Sequence, residues 1–593
     1  MTTSRRWSSA LRAPIVLAST ILAVAAGLGG GRAQAQPWAL GDTLTVIQRP
    51  LLNLPAIVLP DGLLPISCEA PATTTGWAAR LERGSFSIPL PLQGASYDPA
   101  TRWWTVTARV PAVPVFDLYD LRVTASGGLD DVTRHAVKVQ AAYPDEFYFV
   151  HITDTHLPSY LYWYQAGADT DSSTTIGLRH IINDVNVINP AFVALTGDFI
   201  NDGEMEDYEG KRHYSRAQQQ LREFQVPVYL TIGNHDVGGW DDTPPPDGTS
   251  RRTWWRFFGW KRLENPPIGA PMRTQDYSFD YGPVHFTALE AYDNYDGWRV
   301  EHYGATSFTT HQMLWLQLDL AATDRDTKVL LHHFDFAGQL DLAALGVDLS
   351  LAGHVHSDRE DATPPFDILT DNASGTNRPF RLVRFANGQL DPRPTLSAGF
   401  DGQSLTVDYL PGNEGTHGQV QATIHNGYTE RFENGRIKVA MPRFAAGYPV
   451  SGYLVTGGVL AQVDATGDPV ICAIDVDIAA GGATVVVVEV DVAAPVDGAP
   501  LATTRLLEPR PNPFNPRTEI GFELAQAAPC RLTIFDLGGR EVATLVDAVL
   551  EAGRHRVTWQ AIDAQGNPLP SGVYFAGLRA GAYAETRKLT LVR

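Results

Sequence analysis

The stretch Phe147-Tyr148-Phe149-Val150-His151-Ile152, followed at once by Thr153-Asp154-Thr155-His156, is an apolar run that ends on a carboxylate and an imidazole. A short run of this kind reads as a buried strand. Downstream, Leu178, Ile181, Ile182, Val185 and Ile188 recur at helical spacing, and Phe192 to Leu195 is again a buried strand. Glu204 to Phe224 reads as a polar surface helix, and Val226 to Ile232 as the strand after it. Val284 to Leu289, Lys328 to Leu331 and Val347 to Ala352 are further strands, with a helix over Thr310 to Ala322. Strands alternating with helical stretches predict an α/β layer fold.

In open α/β sheets, sites form outside the carboxyl ends of the strands. Five strands here end in chemistry: Asp154 and His156; Gly197-Asp198; Gly233-Asn234-His235-Asp236; His332-His333; and Gly353-His354-Val355-His356. Cys68, Cys472 and Cys530 are far apart in sequence, which opposes a CxxC metal site and a disulfide framework, so a metal must use His, Asp or Asn. Asp198 follows a glycine that permits close approach and is the natural bridge between two cations. Imidazoles at His156, His332, His354 and His356 complete two nitrogen and oxygen shells, with Asn234 adding a neutral amide oxygen. Two such cations about 3.5 to 4 Å apart turn a bound water into hydroxide near neutral pH and stabilise both oxygens of an in-line displacement at phosphorus. The expected reaction is hydrolysis of phosphate esters.

The ordered set Asp154-Thr155-His156, Gly197-Asp198, Gly233-Asn234-His235-Asp236, His332 and Gly353-His354-Val355-His356 resembles the calcineurin-like metallophosphoesterases over about Glu146 to Asp358. The resemblance implies a four-layer α/β/β/α sandwich. It also implies that Asp154, His156 and His356 hold one metal with Asp198, while Asn234, His332 and His354 hold a second with the same Asp198. The metals implied are Mn, Fe or Zn. His235 would lie over the substrate phosphate, oriented by Asp236. The Asp154-Thr155-His156 motif is similar to the cyclic-nucleotide and phosphodiester-cleaving branches rather than the tyrosine-ligated purple acid phosphatases. The fourth block reads His332-His333-Phe334-Asp335 where the family often has two prolines, and His332, the first after the strand, is taken as the ligand. The expected substrate is a small phosphomonoester or diester. The alternatives are a nucleotidase-like member of the same superfamily and a catalytically silent surface adhesin, which the intact ligand set opposes.

Several features have plainer readings. His151 lies inside a strand pattern and reads as packed. Trp240, Trp254, Trp255, Phe257, Phe258 and Trp260 read as core, and Tyr160, Tyr162, Trp163 and Tyr164 as candidate pocket walls.

The 593 residues are too many for one core, and the organisation expected is multidomain α/β plus all-β. The segments are a signal peptide at 1–35, an N-terminal β-sandwich at 50–142, the catalytic domain at 143–378, a β-rich domain at 379–492, a linker at 493–509 and an Ig-like β-sandwich at 510–593. Arg5 and Arg6, the apolar stretch Ile15 to Leu28 and Ala33-Gln34-Ala35 read as an export signal rather than a membrane anchor, and no later segment reads as membrane-spanning. Secretion, surface display or a periplasmic location is therefore expected. With 46 basic against 66 acidic residues, the net charge of −20 disfavours general nucleic-acid binding. Pro511-Asn512-Pro513-Phe514-Asn515-Pro516, Leu532 to Arg540, Gly553 to Trp559 and Ser571 to Phe575 resemble the Ig-like domain of flagellar hook-capping proteins and are similar to type IX secretion sorting tails. The resemblance implies contact with secretion machinery or a cell surface.

Overall fold

The computed structural model describes residues 46–99, 103–157, 173–201, 208–237, 254, 257–258, 261–262, 273–274, 276–290, 308, 310–334, 340–445, 448–492, 503–564 and 567–592. The expected signal peptide lies outside the described residues, as do Tyr160, Tyr162, Trp163, Tyr164, Trp240, Trp255 and Trp260. Thr43–Arg593 form one compact unit. Among the described residues no helix is long and apolar enough to cross a membrane, which leaves β-barrels unaddressed.

The central domain is two sheets packed face to face. In the first, strands β1 (Phe147–Ile152), β2 (Val193–Thr196) and β3 (Val228–Thr231) run parallel. In the second, β4 (Tyr277–Tyr281) pairs antiparallel with β5 (Val284–Ala288), and β6 (Thr327–Leu331), β7 (Leu349–Ala352) and β8 (Phe366–Leu369) continue parallel from it. The first sheet is closed on its other side by β9 (Pro379–Ala386), antiparallel to β1, and then by β10 (Gln389–Pro392). Successive side chains of a strand alternate faces. Phe147 and Phe149, Phe192 and Ala194, Val329 and Leu331, Leu349 and Leu351, and Val383 and Phe385 accordingly meet in one buried core between the sheets.

Helices cover the outer faces. Helix α1 (Ser173–Ile188) buries Leu178, Ile181, Ile182, Val185 and Ile188, the stripe its spacing predicts. Helix α2 spans Tyr208–Leu221, inside the longer helix expected. On the second sheet, α3 (Thr310–Ala322) packs Leu316 and Leu320 with Leu330 and Phe308.

Three boundaries move. Residues 379–397 belong to the first sheet of the central domain, so the edge expected at 378 falls inside paired backbone: Phe385, Val383 and Arg381 register with Phe147, Phe149 and His151. At the other end, Leu51 and Leu54 sit in the inter-sheet core, and Asn53 donates to the Phe258 carbonyl at 2.9 Å. The central domain therefore takes part of its interior from the segment expected to open the N-terminal sandwich. Finally, Arg505–Leu506 pairs with Thr518–Leu524, so the last domain begins within the expected linker.

The flanking domains are all β. The N-terminal one has four-stranded and five-stranded sheets around Leu64, Ile66, Val106, Leu121 and Val137. The third has sheets of five and three strands. It locks to α1, where Asp184 accepts from the Leu405 amide at 3.0 Å and from the Tyr428 hydroxyl. The C-terminal sandwich packs Phe514, Trp559 and Tyr574 with Leu532 and Ile534.

Candidate metal centre

Each strand of the two sheets that was expected to carry a ligand delivers it just past its carboxyl end. Asp154, His156, Asp198, His354 and His356 all sit at positive φ, between 46° and 68°. The left-handed region is uncommon for residues other than glycine, and such strain persists where surrounding structure over-determines it. Here all five fall on the turns just past the strand ends, where their side chains come together.

The flanking glycines make the approach possible. A Cβ on Gly353 would lie 2.0 Å from Thr153 Oγ1 and 2.2 Å from Asp154 Oδ2, and one on Gly233 would lie 2.4 Å from Asp198 Oδ1. A Cβ on Gly197 would meet the His333 ring at 2.7 Å. No other residue type fits these three positions without moving a candidate ligand.

Asp154 and Asp198 are both buried. Asp154 Oδ2 accepts from Thr153 Oγ1 at 2.7 Å and from the His354 amide at 3.0 Å. Its Oδ1 makes no hydrogen bond but lies 3.2 Å from His356 Nε2. His156 Nε2 and His356 Nε2 stand 3.2 Å apart. Asp198 Oδ1 accepts from the His235 amide at 2.8 Å, and Oδ2 lies 3.0 Å from His333 Nε2. Asn234 Oδ1 and His354 Nδ1 are 3.0 Å apart. Three groups of candidate ligand atoms, Asp154/His156/His356, His156/Asp198/His235 and Asp198/His333/His354, each lie within 4.8 Å of one another. A buried carboxylate oxygen without a hydrogen bond, facing imidazole nitrogens, is a donor set suited to cations.

The fourth block is corrected by one residue. His333, not His332, points into the site. His332 Nδ1 lies 2.8 Å from the Phe334 carbonyl and Nε2 lies 2.8 Å from Ser350 Oγ. Strand alternation is the reason: Leu330 faces the α3 layer and His332 follows it, with Phe308 against its ring. Val329 and Leu331 face the inter-sheet core, and His333 continues that face. His333 Nδ1 is 2.8 Å from the Thr196 carbonyl, which fixes the tautomer and aims Nε2 at Asp198.

Asp236 is also corrected. It does not orient the His235 ring: its carboxylate accepts from the amides of Ile200 and Gly233, each at 2.8 Å, and pins the loop that carries Asn234. The His235 ring is held instead by the Asn201 carbonyl, 2.7 Å from Nδ1, and packs edge-on to His156 with centroids 4.7 Å apart. Of the aromatic residues expected as core, Trp254 and Phe258 are buried. Thr153 was not expected to matter; its adjacency to Asp154 was the available signal.

The electrostatics suit cation binding. Burial pushes His156 down to about 3 and His354 down to about 4, so both imidazoles are neutral. Burial opposes ionisation of Asp154, yet His333 and His356 hold it down at about 2. His333 also feels burial, but Asp198 and Asp154 raise it to about 10, so a cation held there takes the place of its Nε2 proton. Burial and the nearby Asp198 charge push Asp236 well above the usual carboxylate range.

Two face-packed sheets flanked by helices, with this ligand set at their carboxyl edge, define a metal-dependent phosphoesterase. Residues 147–358 match the calcineurin-like phosphoesterase family, residues 512–580 match the FlgD Ig-like domain, and the chain carries both domains. Its catalytic part is that of a phosphoester hydrolase. No curated protein matches the chain. Among solved structures it is similar to a purple acid phosphatase from yellow lupin (Lupinus luteus) seeds, at 12% identity and TM-score 0.34, covering 62% of this chain and 70% of that one. It is also similar to a dimetal phosphatase from Danio rerio, at 16% identity and TM-score 0.29, covering 43% of this chain and 99% of the other. FlgD from P. aeruginosa aligns at 16% identity and TM-score 0.12, covering 16% and 73%.

Proposed function

We propose that this is an exported phosphoesterase acting on a small phosphomonoester or phosphodiester through two cations. Asp154, His156, His356 and Asp198 would hold one, and Asp198, Asn234, His333 and His354 the other. The observation that carries this reading is the convergence of two buried carboxylates and four imidazoles from four strand ends, with Asn234 from a fifth. When bound, the cations supply charge neutralisation at the phosphoryl group and activation of the attacking water.

The protein's own groups do the rest. Gly197, Gly233 and Gly353 allow the carboxylates to approach, and Thr153 and the His354 amide fix one oxygen of Asp154. His235, with Nδ1 against the Asn201 carbonyl, presents Nε2 to the leaving oxygen of the ester, where it stabilises developing charge and delivers a proton. The Asp154-Thr155-His156 motif favours a diester as substrate. Export is supported by the N-terminal pattern, and surface or secretion contacts by the FlgD Ig-like match.

Purified protein loaded with Mn, Fe or Zn should hydrolyse bis-p-nitrophenyl phosphate faster than p-nitrophenyl phosphate. Failure with every metal would favour the silent surface protein, and monoester preference would move the chain to another branch.

A further inference from the structure

The face that carries the inter-sheet core does not end apolar. Continuing each strand by parity, Phe149 is followed by His151, Ala194 by Thr196, Ile368 by Thr370, and Val383 is preceded by Arg381. All four polar residues have zero exposure. They form one hydrogen-bonded chain beneath the site. His151 lies 2.7 Å from Thr196 Oγ1 and 2.8 Å from Thr370 Oγ1, so it ties the end of β2 in one sheet to the residue after β8 in the other. Arg381, the register partner of His151 on β9, donates Nε to the same Thr370 hydroxyl at 3.1 Å.

The far end of Arg381 reaches the ligand loop. Its Nη2 donates to Asp358 Oδ1 at 3.0 Å and its Nη1 to Glu360 Oε1 at 2.5 Å, and Nη1 also meets the Arg393 carbonyl at 2.7 Å. Asp358 and Glu360 follow His356 by two and four residues. A guanidinium removed from water is costly unless its donors are all used, and one placed here ties the loop after β7 to the sheet that carries Asp154. At the chain's opposite end, the Thr196 carbonyl accepts from Thr153 Oγ1 and meets His333 Nδ1.

We propose that Arg381 is a positioning residue for the metal centre: through Asp358 and Glu360 it sets His356 against Asp154, and through Thr370 and His151 it holds the two ligand-bearing sheets in register. His354 is anchored separately, by its amide on Asp154 and its ring on Asn234, so the effect falls on the cation held by Asp154, His156 and His356. The inference rests on the two-cation reading above.

The test measures Mn2+ binding to the full chain by calorimetry, with the exchange-coupled Mn pair followed by electron paramagnetic resonance. Arg381→Lys keeps the charge but cannot fork to Asp358 and Glu360. It should bind one Mn2+ as the wild type does and the second about 10- to 100-fold more weakly, in the range typical of residues that orient ligands. At limiting metal the coupled signal should give way to that of an isolated ion. Asp358→Ala and Glu360→Ala each remove one half-exposed carboxylate and leave the other to pair with Arg381, and each should weaken the same cation. Thr370→Val, which removes the shared hydroxyl at nearly constant volume, should do the same. Equal weakening of both cations in step with a lower Tm would reduce Arg381 to a structural role and overturn the proposal, as would unchanged binding in all four variants. A wild type that binds no pair of cations would instead overturn the two-cation reading itself.

Discussion

His332 and His333 are adjacent, both buried, and make opposite predictions. Replacing His332 with Ala leaves Ser350 Oγ and the Phe334 carbonyl without their imidazole partner, each 2.8 Å away in the wild type. Ser350 is buried, and a buried polar group left unsatisfied costs about 1–3 kcal/mol, so the variant should lose about that much stability while keeping both cations. Replacing His333 with Ala removes the nitrogen 3.0 Å from Asp198 Oδ2 and leaves the Thr196 carbonyl short of one partner, though Thr153 Oγ1 still donates to it. Because buried Asp198 then loses its charge partner, the stability cost in the metal-free protein should be large, about 3–5 kcal/mol. The cation shared by Asp198, Asn234 and His354 should bind at least about 100-fold more weakly, since even residues that only orient ligands are worth 10- to 100-fold. Denaturant unfolding with chelator present gives the first quantity and Mn2+ calorimetry the second. Retention of both cations by His333→Ala together with loss of one by His332→Ala would refute the alternation argument.

Other expectations are as direct. His235→Ala should retain both cations and lose about 10²- to 10⁴-fold in kcat, as expected for a group that serves proton transfer; metal loss in that variant would make it a ligand. Gly353→Ala forces a Cβ to within 2.2 Å of Asp154 Oδ2 and should abolish metal retention, read by elemental analysis after gel filtration. Burial raises Asp184 to about 6. Its native form thus holds a proton more tightly than the unfolded chain, whose value is about 3.9, and the associated stability is present below pH ~4 and lost as pH rises through ~6. The two-unit difference amounts to about 3 kcal/mol. Asp184→Asn can still accept from Leu405 and meet Tyr428. It should remove that fall from chelator-treated unfolding curves, and an unchanged pH dependence would contradict the assignment.

Most of the site was legible because its chemistry lies at the ends of apolar runs. Asp154, Asp198 and Asn234 each follow a strand that periodicity locates, and glycine precedes the latter two. The fourth block was not legible in the same way. Choosing the first histidine after the strand ignores which face the strand's last residues take, and that face follows only once Leu330 is known to meet α3 and Leu331 the opposite sheet. The role expected of Asp236 failed for a related reason: adjacency to His235 does not place a carboxylate on its ring when two backbone amides compete for it. Strand β9 was assigned to the next domain because its partner, β1, lies more than two hundred residues earlier, and antiparallel pairing at that separation leaves no local trace. Arg381 and His151 carry the same lesson. Each looks like an isolated polar residue in a strand until register makes them neighbours.

The most direct test is an anomalous difference map from crystals of the Mn-loaded protein. It should show two peaks about 3.5 to 4 Å apart with Asp198 between them, His356 beside one and His333 beside the other. A single peak, or two peaks that share no carboxylate, would contradict a paired centre built from both sheets.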